Sequence, residues 1–308
     1  MDESVIILRE FGFDIKNKQE SIYPFSPVYK VGDYIVKTTQ SPIESASNLV
    51  EYTTHLKESG ISVVTPVKLN SSNPKQINDE CFICYPFING MDYQGTSTEI
   101  RQVGELLGRI HSSASKDNVF NLGKYNVFDF YNHEVDDHIQ KIEGFVNAHQ
   151  VDIDTQVLKN LFYQAVENQE ELQNASLTWI ETPHDYKANN LKFNNEPTLV
   201  DPDNATWIPR TFDLALALLL FHNELSSAPD RIFTPTEWQL FLDGYFAHQT
   251  LTENEIRYWN KAVLHVFLDE VMWLMAEEDE DWDNKEQRDL FVSVTNAIFN
   301  LEKYTIKQ

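Results

Sequence analysis

A short segment between two apolar runs is crowded with carboxylates and carboxamides. The segment PHDYKANNLKFNNEPTLVDPDNAT covers residues 183–206 and lies between LTWI and FDLALALLLF. Asp185, Asn190 and Asp201 carry side-chain oxygen atoms, which are the ligands that hard cations such as Mg²⁺ prefer. An aspartate can also orient an alcohol for attack on a phosphate. These residue types therefore favour chemistry in which a hard cation and a polar reactant meet.

The spacing of these residues fits a single site. Asp185 follows the β-type run LTWI, Asn190 lies five residues further on, and Asp201 ends the β-type run TLVD. We expect LKF and TLVD to pair as a hairpin, which would return Asp201 to the neighbourhood of Asn190. One base and two oxygen ligands would then surround one metal cluster.

Phosphoryl transfer further needs a lysine on the donor phosphates and a carboxylate that holds this lysine. Lys37, in the β-type run YIVKTT, is followed by a helix pattern. Glu44 and Glu51 lie seven residues apart in that helix, with Asn48 between them, so all three share one face. We predict Glu51 as the partner of Lys37 because it lies deeper in the helix, and Glu44 stays as the alternative.

The organisation of the chain changes near residue 88. Before it, the runs SIYPF, SPVYKV, YIVKTT, SVVTPVKL and CFICYPFI predict a small antiparallel sheet. One helix is expected between residues 41 and 59, opened by Ser41 with Pro42 at its first position and closed by Gly60. After residue 88, apolar residues recur at helical spacing. The sequence predicts an α+β class with two lobes, residues 1–88 and a mostly helical 89–308.

The charge of the chain disfavours some classes of partner. The formal net charge is −24, from 48 acidic and 24 basic residues. Such a surface repels nucleic acid and anionic membranes, and it suits a cationic substrate better than an anionic one. No apolar run of 18 residues occurs, and the N-terminal MDESVIILREFG has acids where a signal peptide has basic residues. We therefore expect a cytoplasmic protein.

The two cysteines stand in one β-type run. Cys81 and Cys84 in ECFICYPF superficially resemble a redox or zinc pair. Residues i and i+3 of a strand point to opposite faces, and no further cysteine could complete a zinc site. We therefore predict two buried free thiols.

At this point the chain resembles a known family. The run DYKANN, residues 185–190, resembles the catalytic loop D-x-K-x-x-N of protein-kinase-like folds, and Asp201 resembles their metal-binding aspartate. With FDLA at residues 212–215, the segment is similar to the aminoglycoside phosphotransferase family and its relatives, the choline, homoserine and methylthioribose kinases. YPFINGMDY resembles the hinge between lobes, and VGELLGRIHSSA resembles the first helix of the second lobe. The resemblance covers residues 22–225.

The resemblance implies an enzyme that uses ATP and Mg²⁺ to phosphorylate a hydroxyl of a small molecule. Asp185 would accept the proton of that hydroxyl, and Lys187 would neutralise charge on the transferring group. Asn190 and Asp201 would hold Mg²⁺, and Lys37 would contact the α and β phosphates.

Other implied positions surround the nucleotide. Tyr85 and Phe87 of the hinge would border it, with Ser26 or nearby backbone amides covering its phosphates. Asp213 would support the catalytic loop by accepting backbone N–H bonds. The sequence departs from the family where Pro183 replaces the loop histidine, where Pro202 follows Asp201, and where the turn in YPFSPVYKV lacks glycine.

Alternative functions start from the same residues. A pseudokinase or a nucleotide-binding protein without turnover would keep the scaffold and lose the chemistry. The dipeptide His184-Asp185 also occurs in metal-dependent phosphohydrolases, which need further histidines. We interpret His111, His222 and His265 as core residues instead, because each lies in an apolar helical run.

The acceptor stays open between an antibiotic and a metabolite, and so do the choice of ATP or GTP and the oligomeric state. The run FLDEVMWLMAEEDEDWD combines carboxylates, among them Asp269 and Glu270, with tryptophans. It would suit an amino-sugar or a quaternary amine. The more common identity of such a run is an exposed acidic loop between helices.

Overall fold

A computed structural model describes residues 2–23, 26–39 and 41–307. The first lobe consists of α1 (Glu3–Glu10), β1 (Val28–Val31), β2 (Tyr34–Thr39), α2 (Ile43–Glu58), β3 (Lys75–Ile77) and β4 (Glu80–Pro86). Its strands form one antiparallel sheet in the order β1-β2-β4-β3. The predicted boundary at residue 88 stays a prediction, and it lies two residues beyond the end of β4.

The two faces of this sheet bury different side chains because successive residues of a strand alternate between faces. Val36, Phe82 and Cys84 share one apolar core with Leu8 of α1. Cys81 instead belongs to the main core of the protein. The thiol prediction is confirmed, since both cysteines are buried and free and they face opposite sides of the sheet. The residue after Val36, Lys37, therefore faces away from α1.

Several local predictions in the first lobe are wrong. The sheet packs against a second helix, α1, in addition to the predicted α2. Helix α1 begins after Asp2, whose side chain accepts a hydrogen bond from the Ser4 N–H. Strand β3 lies between the runs SVVTPVKL and CFICYPFI, where no strand was predicted. Pro42 is the N-cap of α2 and not its first helical residue. The run SVVTPVKL forms only an isolated bridge from Val63, since Pro66 interrupts it and cannot donate to a ladder.

The predicted strand SIYPF is not formed where it can be seen. Residues 21–23 form no strand, and Pro24 and Phe25 lie outside the described residues. The Ser21 hydroxyl instead accepts a hydrogen bond from the Val28 N–H at 2.9 Å.

The second lobe is mostly helical, as predicted. Its helices are α3 (Ser97–Ser113), α4 (Asn132–His149), α5 (Thr155–Gln173), α6 (Arg210–Leu220), α7 (Pro235–Phe246), α8 (Glu253–Val266), α9 (Met272–Glu277), α10 (Asp279–Asp283) and α11 (Lys285–Phe299). A π-helical turn, Phe267–Val271, joins α8 to α9, and 3₁₀ turns cover Ala188–Asn190 and Leu301–Lys303. The α+β class is thereby confirmed.

Short strands surround the polar segment of the sequence. They are β5 (Gly123–Lys124), β6 (Trp179–Thr182), β7 (Leu191–Asn194), β8 (Glu196–Leu199) and β9 (Thr206–Pro209). The predicted hairpin is confirmed, because β7 pairs antiparallel with β8. Strands β5 and β9 were not predicted. In a small mixed sheet, β9 pairs parallel with β5 on one side and antiparallel with β6 on the other. None of the helices within the described ranges has the length and apolar character needed to cross a bilayer.

Helices α3 and α7 approach each other closely through glycines. A Cβ atom added to Gly104 would overlap the backbone carbonyl of Phe241. A Cβ atom on Gly244 would likewise overlap the carbonyl of Arg101. Neither backbone atom can move without shifting its helix, so glycine sets the separation of the two helices.

We predict that Gly104→Ala destabilises the protein by about 1–3 kcal/mol or more, because the added methyl group forces α3 and α7 apart. Gly144→Ala on the exposed face of α4 is the matched control, since an added Cβ there meets nothing within 4 Å. The control should gain about 0.5–1 kcal/mol from helix propensity. Urea unfolding of both variants measures this, and equal effects would contradict the close packing.

Candidate active site

The loop after β6 carries the predicted base in an unusual backbone conformation. His184 has φ 54° and Asp185 has φ 44°, both in the left-handed region. Such residues cost roughly 1 kcal/mol or more each and persist only where the surroundings hold them. Here the Asn190 side-chain amide donates to the Asp185 carbonyl at 2.9 Å, and the Ala188 N–H donates to the Phe221 carbonyl at 2.8 Å. The loop is thus held at both ends.

Asp213, in the first turn of α6, anchors this loop from below. Its buried carboxylate lies 2.8 Å from His111 Nε2 and 3.0 Å from His184 Nδ1. It also accepts a hydrogen bond from the Thr182 hydroxyl at 3.0 Å. Burial alone would raise the pKa of Asp213, but the hydrogen bonds from His111 and His184 hold this pKa below its usual value. Asp213 does support the loop, although through side chains and not through the backbone N–H groups that we predicted.

The contact between His184 and Asp213 explains how Pro183 can stand where the family has its loop histidine. Pro183 has no group that could donate to Asp213, and His184 makes this bond from the next position. Burial would lower the pKa of His184, but the hydrogen bond and charge of Asp213 raise it above its usual value.

The carboxylate of Asp185 faces one lysine and the side-chain amides of Asn190 and Asn204 in the cleft. Lys187 Nζ lies 3.3 Å from Asp185 Oδ2, and the Asn190 amide nitrogen lies 3.3 Å from the same atom. Burial raises the pKa of Asp185, and the nearby charge of Lys187 partly offsets this rise. Lys187 also bonds Glu224 at 2.8 Å. The Asp185 carboxylate therefore binds a proton more readily than a free aspartate does, and the ammonium of Lys187 lies beside it.

The β7–β8 hairpin brings Asp201 to the same place. Leu191 pairs with Leu199, and the Val200 N–H donates to the Asn190 carbonyl at 2.8 Å. The side-chain nitrogen of Asn190 is directed at Asp185, so its amide oxygen is the atom suited to a cation. An amide oxygen and the half-exposed Asp201 carboxylate form an oxygen-only donor set. This chemistry fits Mg²⁺, which binds through one or two carboxylates plus the phosphates of a nucleotide.

Lys37 extends from β2 into the cleft and pairs with two aspartates. Its Nζ lies 2.7 Å from Asp201 Oδ1 and 2.8 Å from Asp203 Oδ2. Burial would lower the pKa of Lys37, but the charges of Asp203 and Asp201 raise it. The predicted pairing with Glu51 is wrong in this structure. Glu51 is exposed on α2, as is Glu44, because α2 turns another face towards the core.

One cleft of about 680 Å³ collects most of the predicted residues. Its lining includes Ser26, Lys37, Tyr85, Phe87, Asp185, Lys187, Asn190 and Asp201. Of the predicted site residues, all of which are described, only Glu51 is outside this lining. The cleft therefore lies between the sheet of the first lobe and the loop that carries Asp185.

Two hinge residues already have internal partners. The Phe87 N–H donates to the Asp33 carbonyl at 2.7 Å, and Lys30 Nζ lies 3.4 Å from the centre of the Phe87 ring. The Tyr85 hydroxyl donates to Asp203 Oδ1 at 2.7 Å. The roles of Tyr85, Phe87 and Ser26 towards a nucleotide stay predictions.

Sequence reasoning missed two acidic residues of the cleft. Asp203 was noted only as part of the polar segment, and Glu224 was not singled out at all. Asp203 stands two residues after Asp201, so a signal for it was present in VDPD. Glu224 follows α6 with φ 64°, and nothing in its sequence setting indicates its contact with Lys187.

His111, His222 and His265 are core residues, as we interpreted them, although His222 lies in the turn after α6 and not in a helix. His111 bonds Asp213, His222 Nε2 lies 3.2 Å from the Tyr93 hydroxyl, and His265 Nε2 lies 2.9 Å from the Tyr125 hydroxyl. All three are buried. Their bonding gives no support to a phosphohydrolase centre built on several histidines.

Comparison with solved structures finds proteins of similar fold. The structure resembles a microcompartment-associated aminopropanol kinase, with a TM-score of 0.63, 11% identity and 99% of each chain covered. It also resembles a spectinomycin phosphotransferase in complex with ADP and spectinomycin, with a TM-score of 0.59, 17% identity, and 97% and 98% of the two chains covered. A choline kinase from Streptococcus pneumoniae matches with a TM-score of 0.56 and 17% identity, covering 96% and 99%.

These likenesses confirm the predicted protein-kinase-like fold, and at such low identity they show the fold alone. No match was found among proteins with curated functions. The sequence itself matches the profile of the phosphotransferase enzyme family over residues 25–257, which is most of the chain. The protein is therefore a member of the phosphotransferase enzyme family.

Proposed function

We propose that this protein transfers the γ-phosphate of ATP or GTP to a hydroxyl of a small molecule, most like an aminoglycoside phosphotransferase. The observation that carries the proposal is the meeting of Lys37, Asp185, Asn190 and Asp201 in one cleft of a phosphotransferase-family chain. The likeness to a structure that contains ADP and spectinomycin supports a nucleotide and a small acceptor in this cleft. A cytoplasmic location is part of the same proposal.

In the proposed reaction, the acceptor oxygen bonds to the γ-phosphorus while the bond to the β–γ bridging oxygen breaks. The acceptor proton passes to Asp185, whose burial-raised pKa makes it a better base at neutral pH. Lys187, 3.3 Å from Asp185, would neutralise charge on the transferring group. Lys37 would bind the α and β phosphates.

Asn190 and Asp201 would hold Mg²⁺ on the nucleotide. When bound, this ion neutralises charge on the β and γ phosphates. The residues of the chain then have to orient the acceptor hydroxyl and exclude water from the cleft.

We predict that Asp185→Asn abolishes turnover and changes nucleotide affinity by less than about twofold, because the base does not bind the donor. The wild-type acceptor is first found by coupled ADP release with aminoglycosides, macrolides, choline, homoserine and sugars. Calorimetry with Mg·ADP then compares the two proteins. Turnover by the variant would exclude Asp185 as the base, and wild-type binding without turnover of any acceptor would favour a pseudokinase.

The acceptor is proposed to be cationic because of a carboxylate beside the catalytic loop. Glu270 lies in the π-helical turn, 4.0 Å from His184 Nε2, and Trp273 is half-exposed one turn further on. Burial and the neighbouring charge of Asp269 raise the pKa of Glu270 to about 7. A π-helical turn is often found at a functional site.

We predict that KM for a cationic acceptor falls as pH rises through about 7, because Glu270 becomes anionic only above its raised pKa. Glu270→Gln should remove this part of the pH dependence and raise KM at pH 8. Steady-state kinetics between pH 6 and 8 measure both proteins. An unchanged pH profile in the variant would contradict a contact between Glu270 and the acceptor.

A further inference from the structure

The ammonium of Lys37 lies against a carboxylate, Asp203, to which the sequence motifs gave no role. Building on the nucleotide site proposed above, we infer that Asp203, fixed by the hydroxyl of Tyr85, is the positioning residue that holds Lys37 towards the donor phosphates. Asp203 thus replaces the helix carboxylate that we had expected from α2. Asp203 would thereby orient Lys37 and take no part in the phosphoryl transfer itself.

Both oxygens of Asp203 have partners within hydrogen-bond distance. Oδ2 lies 2.8 Å from Lys37 Nζ, and Oδ1 accepts from the Tyr85 hydroxyl at 2.7 Å. A carboxylate held at both oxygens has one orientation, and the lysine that it contacts is therefore restricted as well. The side chains of Lys37 and Asp203 are only 13% and 15% exposed. This low exposure makes their interaction stronger than that of a surface ion pair.

The sheet register places Tyr85 and Lys37 together. Lys37 of β2 pairs with Ile83 of β4. Ile35, two residues before Lys37, pairs with Tyr85. Lys37 and Tyr85 are therefore diagonal neighbours on the face directed at the cleft. Lys37 Nζ lies 5.4 Å from the centre of the Tyr85 ring. Tyr85 thus supports the lysine both directly and through Asp203.

The other candidate partners of Lys37 are less suited to a permanent role. Glu44 and Glu51 are exposed on α2, whose buried face carries Leu49, Tyr52 and Leu56. The Asp201 side chain, at 2.7 Å from Lys37, is 47% exposed, three times as much as that of Asp203. If the Asp201 carboxylate turned towards a cation on the nucleotide, it would release Lys37. Asp203 would then remain as the partner of Lys37.

The decisive experiment is calorimetric titration of ADP, once with Mg²⁺ and once with EDTA. Asp203→Asn should weaken ADP binding about tenfold or more in both buffers, because Lys37 loses its orientation. Asp201→Asn should weaken binding only with Mg²⁺. Tyr85→Phe removes one hydroxyl and should weaken binding about two- to threefold in both buffers. If Asp203→Asn does not fold, the Tyr85→Phe variant still tests the role of Asp203.

Two further variants complete the design. Glu51→Gln represents the rival helix carboxylate and should bind ADP as the wild type does. Asp137→Asn, on the exposed face of α4, is the matched control for the loss of one surface charge. Thermal unfolding of each variant separates a loss of fold from a loss of lysine orientation.

Several results would overturn the inference. Unchanged or tighter ADP binding by Asp203→Asn in EDTA would show that Asp203 only competes with phosphates for Lys37. A loss confined to the Mg²⁺ buffer would make Asp203 a metal ligand, and a loss in Glu51→Gln equal to that in Asp203→Asn would restore the helix partner. If the wild type binds no ADP in either buffer, the proposed nucleotide site fails, and the inference that rests on it fails too.

Discussion

The buried carboxylate of Asp213 accepts hydrogen bonds from side chains of three different elements. A charge in the core is tolerated only when its hydrogen bonds are satisfied, so His111 of α3, Thr182 of β6 and His184 of the loop must stay close to α6. This constraint holds two successive left-handed residues in place. The position of Asp185, and with it the base of the proposed reaction, depends on Asp213.

The cleft above this anchor is organised by the balance of its charges. Two partly buried lysines each contact two carboxylates, Lys37 with Asp201 and Asp203 and Lys187 with Asp185 and Glu224. Each lysine thus stands in an excess of negative charge, which keeps it protonated. A nucleotide that brings phosphates together with a divalent cation would satisfy both signs of charge at once. The same excess of acid suits an acceptor that carries positive charge.

The sequence predicts those parts of the site that depend on local spacing. The order of Asp185, Asn190 and Asp201 around one hairpin follows from chain connectivity, and alternation along a strand predicts that Lys37 and Val36 face opposite ways. The partner of Lys37 could not be predicted in this way. Helical spacing shows that Glu44 and Glu51 share a face but not which face of α2 is buried, and packing turned that face to solvent. Contacts between distant segments, such as Glu224 with Lys187, leave no local signal.

We propose that one cleft binds the nucleotide beside Asp185, and a crystal structure with Mg²⁺ and a non-hydrolysable ATP analogue would show whether it does. We expect the α and β phosphates on Lys37, the cation on Asn190 and Asp201, and the γ-phosphate next to the carboxylate of Asp185. An analogue bound elsewhere on the protein, or bound in the cleft with its γ-phosphate directed away from Asp185, would contradict the account.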